Sequence, residues 1–92
     1  MRPVLVSDVT AAARALLSVR EPRRNALCED LLREAEYADR FTRRVGRPHP
    51  VFGNGTLLAA ARARKLVCEP TLDDAAYRAA IATVLRALDR AG

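Results

Sequence analysis

Large side chains are scarce in this 92-residue chain: it has no Trp, two Phe and two Tyr, and half its residues are apolar largely because of alanine. A core of that kind brings helices close together through small side chains and leaves little interior volume for an enclosed ligand. Histidine occurs once, as His49, and the two cysteines, Cys28 and Cys68, form no C-x-x-C pair. A four-ligand zinc site cannot be assembled from Cys and His alone. Both cysteines therefore read as small core hydrophobes, and neither a metal nor a cofactor is expected. Runs of β-branched residues are missing, while Ala, Leu, Arg and Glu, all good helix formers, abound. Also missing is any apolar stretch of membrane-span length. Arg2 and the short Val4-Leu5-Val6 run give way at once to Ser7-Asp8, unlike a signal peptide. A soluble protein of a reducing, cytoplasmic setting, without a membrane partner, is expected.

Charge is plentiful and of both signs. Sixteen basic residues face eleven acids, for a net charge of +5, and every basic residue except Lys65 is Arg. The guanidinium fork suits phosphate and carboxylate, but an Ala- and Arg-rich composition is also what a GC-rich genome supplies. The basic residues are interleaved with acids rather than collected in a tract, which reads as a solvated, mixed-charge surface.

The apolar spacing predicts four helices. Ser7 or Asp8 can cap the first, in which Val9, Ala12, Ala13, Leu16 and Leu17 form one stripe to about Val19. Pro22 suits the first position of the second helix. Leu27, Leu31, Ala35, Ala38, Phe41 and Val45 follow there at spacings of three and four, and Gly46 and Pro48 end it. The middle of this helix is acidic, with Glu29, Asp30, Glu34, Glu36 and Asp39. Arginines stand at both ends, favourably at the last turns and against the helix dipole at the start. Residues 46–55 hold two prolines and three glycines and form a structured loop. Asn54 or Thr56 can cap a third helix running to Leu66 or Val67. Thr71 with Asp74 has the form of a capping box for the last, which turns Tyr77, Ala80, Ile81, Val84, Leu85 and Leu88 inward. The expected fold is all-α: a compact bundle of four helices, about 8–19, 22–45, 56–67 and 72–90, as one domain over 1–92 with one structured Pro/Gly loop.

The segment His-Pro-Val-Phe-Gly-Asn-Gly-Thr-Leu-Leu-Ala-Ala-Ala (His49 to Ala61) resembles the central motif of a family of short, uncharacterised alphaproteobacterial helical proteins. The likeness extends through Leu31–Glu36 and Ala38–Arg40. That family carries no assigned activity, so the resemblance points to a place, the loop and the middle of the second helix, and implies no reaction.

Catalysis finds little support. His49 has no Ser-His-Asp or Cys-His ordering around it, and the carboxylates lack the Glu-x-x-His pairs of helical di-metal sites. The expected function is a non-enzymatic regulatory or adaptor protein that binds a protein partner through a helical face and the 46–55 loop. Its partner-binding residues would be Arg43, Arg44, Arg47, His49, Phe52 and Asn54, with Phe52 as an aromatic anchor. A solvent-facing Phe52 or Tyr37 would favour docking, and a buried one would remove that argument. The alternative is a basic nucleic-acid-binding protein that holds DNA or RNA phosphates with Arg20, Arg23, Arg24, Arg62, Arg64 and Lys65. A homodimer is a further possibility, through the alanine-rich last helix.

Overall fold

Alanine governs the packing of the computed structural model, which describes residues 1–91. Four helices and no strand occur in that range: α1 (Val6–Leu16), α2 (Glu21–Val45), α3 (Leu57–Arg62) and α4 (Ala75–Ala91). Ala11, Ala12, Ala13, Ala15 and Leu16 bury a broad face of α1. With little beyond Cβ on that surface, α2, α3 and α4 all lie against it, whereas α3 and α4 do not touch each other. At 1.5 Å per residue the 25 residues of α2 extend about 37 Å, most of the 41 Å long axis of the molecule. Leu27, Cys28, Leu31, Ala35 and Ala38 of α2 are buried, as are Leu57, Ala60 and Ala61 of α3 and Tyr77, Ala80, Val84 and Ala87 of α4. The few large core side chains, Tyr77, Leu16, Leu31, Leu57 and Val84, each contribute about 1.5–3 kcal/mol by leaving water. Burial pushes the Cys28 thiol up to about 11.

The all-α architecture is as the composition implies, but several boundaries differ. α1 starts at Val6, not at 8, with Leu5 in the cap position. Asp8, expected with Ser7 as a cap, sits one turn inside and reaches back: its Oδ2 accepts from the Leu5 amide at 2.7 Å. Its Oδ1 accepts from the Leu58 amide, at the start of α3, at 2.8 Å. One buried carboxylate thus satisfies open amides at two helix starts. α1 ends at Leu16 rather than 19, where the Arg24 Nε donates to the carbonyls of Leu16 and Val19 at 3.0 and 3.1 Å.

The third helix is shorter than the 56–67 its apolar spacing suggests. Thr56 caps it, accepting from the Ala59 amide at 3.1 Å, and it stops at Arg62. Beyond that point Arg14 holds the chain extended: its Nε donates to the Val67 carbonyl at 2.8 Å, and the Val67 amide donates to the Arg14 carbonyl at 3.4 Å. Residues 63–74 form a strap, mostly exposed, that leads to α4. That last helix starts at Ala75, not 72. Asp74 is itself the cap, accepting from the Tyr77 amide at 3.1 Å, so Thr71 and Asp74 do not make the expected box. Three residues read as inward are exposed: Cys68 on the strap, Val45 and Leu85.

Candidate functional site: the aromatic face of α2

The last turns of α2 are covered by a loop that folds back on them. Gly46 adopts φ +84°, donates to the Thr42 carbonyl at 2.8 Å and so ends the helix. His49 and Gly53 then pair through both backbone groups, at 2.8 and 3.1 Å. Inside that closed turn the His49 Nδ1 accepts from the amides of Val51 at 3.0 Å and Phe52 at 3.1 Å. The imidazole is thereby fixed as an acceptor at Nδ1 and serves as the internal brace of the loop. Asn54 accepts from the Thr56 amide and hydroxyl at 3.1 and 2.9 Å. Gly55, at φ +98°, lies so close to α2 that a Cβ there would stand 2.7 Å from the Asp39 Cα.

This folding gathers three of the four aromatic residues around the lone histidine. Phe52 stacks on the His49 ring, with centroids 5.0 Å apart and planes 11° from parallel. Phe41 meets that ring edge-on at 4.9 Å and Tyr37 at 5.4 Å, and Tyr37 also meets Phe52 edge-on at 6.5 Å. Such pairs add about 0.5–1.5 kcal/mol each beyond burial. Tyr37 nevertheless remains 56% exposed, and Val51 at the loop tip is exposed too. Tyr37 and Phe52 line an open groove of about 500 Å³ together with Arg33, Glu34, Glu36 and Arg40.

Each carboxylate near the groove has at least one ion-pair partner. Glu34 pairs with Arg64, Glu36 with Arg40 at 3.3 Å and with the N-terminal ammonium, and Asp39 with that ammonium at 3.2 Å and with Arg43 at 2.9 Å. The ammonium hydrogen bond holds the Glu36 carboxyl below its ordinary range. For Asp39 burial pushes the other way, but the ammonium and Arg43 outweigh it and its carboxyl is lowered as well. One oxygen of Glu34, Oε1, is buried with no partner. Arg44 and Arg47 are exposed and have no carboxylate partner among the described residues.

Of the residues expected to bind a partner, Arg44 and Arg47 are free, Arg43 is tied to Asp39, and His49 and Asn54 are occupied within the loop. Phe52 is half-buried and forms one wall of the groove. The two expected phosphate-holding clusters do not merge. Arg24 closes the end of α1 and Arg64 is paired with Glu34, ten residues of α2 or about 15 Å away along the helix. Arg20, Arg23, Arg62 and Lys65 are exposed. Arg33, Tyr37 and Arg40 join the site in the structure but are not among the partner-binding residues expected from the sequence. Their signal was available: positions 33, 37, 40 and 44 recur by four, three and four, the period of one helix face.

No group of three or more His, Cys, Asp or Glu among the described residues is placed to hold a metal ion, and no helix is long and apolar enough to cross a membrane. The family described as "Domain of unknown function (DUF7742)" matches residues 2–88. No curated protein and no solved structure matches.

Proposed function

The chain belongs to the DUF7742 family, and from that premise we propose that it is a non-enzymatic adaptor or regulatory module that binds a protein partner through the aromatic face of α2 and the 46–55 loop. The exposure of Tyr37 carries this reading. A large aromatic side chain, locked by edge-on contacts to His49 and Phe52, stands in solvent beside an open groove. Rigid aromatic anchors next to a pocket are the residues that dominate binding energy at protein interfaces. The commitment of His49 Nδ1 to two loop amides supports a bracing rather than a catalytic role for that residue. A reducing, cytoplasmic setting accords with two free cysteines, and an alphaproteobacterial origin rests on the likeness of the His49–Ala61 motif alone.

The test is a photo-crosslinking amino acid placed at Tyr37 and, as a control, at Arg23. A discrete protein adduct from Tyr37 that is absent from Arg23 is the expected outcome; equal labelling at both positions would remove the reading. Nucleic-acid binding is the second reading, favoured by the exposed Arg20, Arg23, Arg62 and Lys65. It requires micromolar anisotropy binding of random duplex DNA or RNA that weakens steeply with salt. Substituting those four residues by Ala would then abolish the signal, and an unaffected signal would count against them.

A further inference from the structure

We infer that the occupant of the Tyr37–Phe52 groove is an acidic amphipathic helix of the partner protein, seated along the exposed ridge Arg33–Tyr37–Arg40–Arg44. This rests on the docking reading above and names the chemistry of the partner.

The first ground is geometry. The four ridge residues lie on one face of α2 at alternating spacings of four and three, and all are exposed. A ridge of that pitch meets its complement in the side-chain rows of another helix. The groove beside it, walled by Tyr37 and Phe52, has the volume for an apolar anchor side chain. An amphipathic helix supplies such anchors one turn apart, flanked by polar residues.

The second ground is charge. The carboxylates around the groove already have partners in the chain: Glu34 in Arg64 through Oε2, its unpartnered Oε1 being buried and out of a ligand's reach, Asp39 in Arg43 and the ammonium, and Glu36 in Arg40 and the ammonium. They offer little to a basic partner. Arg44 and Arg47, by contrast, have no carboxylate in reach among the described residues. The pairs that occupy Arg33 and Arg40 are exposed, to Asp30 and Glu36, and exposed pairs hold their members weakly. When Arg40 exchanges, Glu36 keeps the ammonium, whereas exchange of Arg33 frees Asp30. Arg40 with Arg44 and Arg47 therefore forms the available basic set. A basic ridge beside an apolar groove is complementary to a helix with Asp and Glu around a Leu or Phe anchor. The Arg fork binds carboxylates in two-bond geometry, which favours Arg at such a ridge.

A random peptide library displayed on phage, selected against the full chain and counter-selected against Tyr37→Ala, tests this. Both targets are first matched by circular dichroism, and the exposure of Tyr37 predicts an unchanged fold. The expected result is enrichment of peptides with Asp or Glu at helical spacing around an aliphatic or aromatic residue. A synthetic peptide of that sequence should bind at least tenfold more weakly to the double variant Arg44→Glu, Arg47→Glu, and repeating the selection on that variant should enrich basic peptides. Peptides that depend on Tyr37 but are neutral or basic would overturn the acidic helix and leave the docking reading standing. No enrichment of wild type over Tyr37→Ala would overturn both. A self-associated chain that becomes monomeric on Tyr37→Ala would identify a second copy as the occupant, and Tyr37-dependent capture of oligonucleotides a nucleic acid. Either would end the proposal.

Discussion

Asp8 carries more than its place near a helix start suggests. Both its oxygens are used, one on the Leu5 amide and one on the Leu58 amide fifty residues away. Asp8→Ala removes two part-buried, charge-assisted hydrogen bonds. At about 1.5–3 kcal/mol each, with the amide of the exposed Leu5 partly rescued by water, the loss should be about 2–4 kcal/mol in urea unfolding. Asp8→Asn keeps one carbonyl acceptor and should cost distinctly less. The glycines give a matched pair of substitutions. Gly46→Ala meets nothing within 4 Å and has only its left-handed backbone to bear, about 1 kcal/mol. Gly55→Ala adds a clash with the Asp39 backbone and should unfold at clearly lower denaturant than Gly46→Ala. The sequence made Gly46 legible, because Pro48 and the end of the apolar spacing mark a helix stop. It could not show that Gly55 sits against Asp39, sixteen positions earlier in the chain.

Among the elements, α2 was the most legible, since Pro22 and Gly46 bracket a long periodic stretch and its span differs by one residue from the reading. α3 was the least. Leu66 and Val67 continue a helical period, yet Val67 is held by Arg14, and contact between residues fifty-three apart leaves no local trace. Six residues are too few for a helix to stand alone, so α3 depends on its cap and on α1. Thr56→Val should therefore destabilise the protein by about 1 kcal/mol, read as a lowered Tm. His49→Ala removes the side-chain brace of the loop tip and leaves the His49–Gly53 backbone pair and the Asn54 bonds in place. The amides of Val51 and Phe52 should then exchange faster with deuterium while those of the α1 core keep their protection, because that imidazole hydrogen-bonds only within the loop and its ring contacts are with α2 and Phe52. The aromatic gathering itself was half visible: Phe52 and His49 stood out, whereas their meeting with Tyr37 and Phe41 needed the loop to fold back.

At the scale of the whole molecule, one charged junction joins the start of the chain to the middle of α2. Burial alone would lower the ammonium of Met1, but Glu36 and Asp39 overcome that and raise it above its ordinary 8.0. Its contribution to stability is full below 8.0 and is lost as pH rises through the raised value. Glu36 and Asp39 are lowered from 4.5 and 3.8, so theirs is present above those values and is lost as pH falls through the lowered ones. Thermal melts across pH should show a plateau from about 5 to 8 with a decline on each side. Acetylating the Met1 amine should flatten the alkaline decline.

The extended run between α3 and α4 has a consequence for the covalent continuity of the chain. The helices it joins do not touch, and each packs against both α1 and α2. Arg14 grips the strap near its middle. Cleavage of the chain between that grip and the Asp74 cap, within 69–73, is therefore expected to leave α4 seated beside α1 and α2 as a separate peptide, the two pieces eluting together in gel filtration.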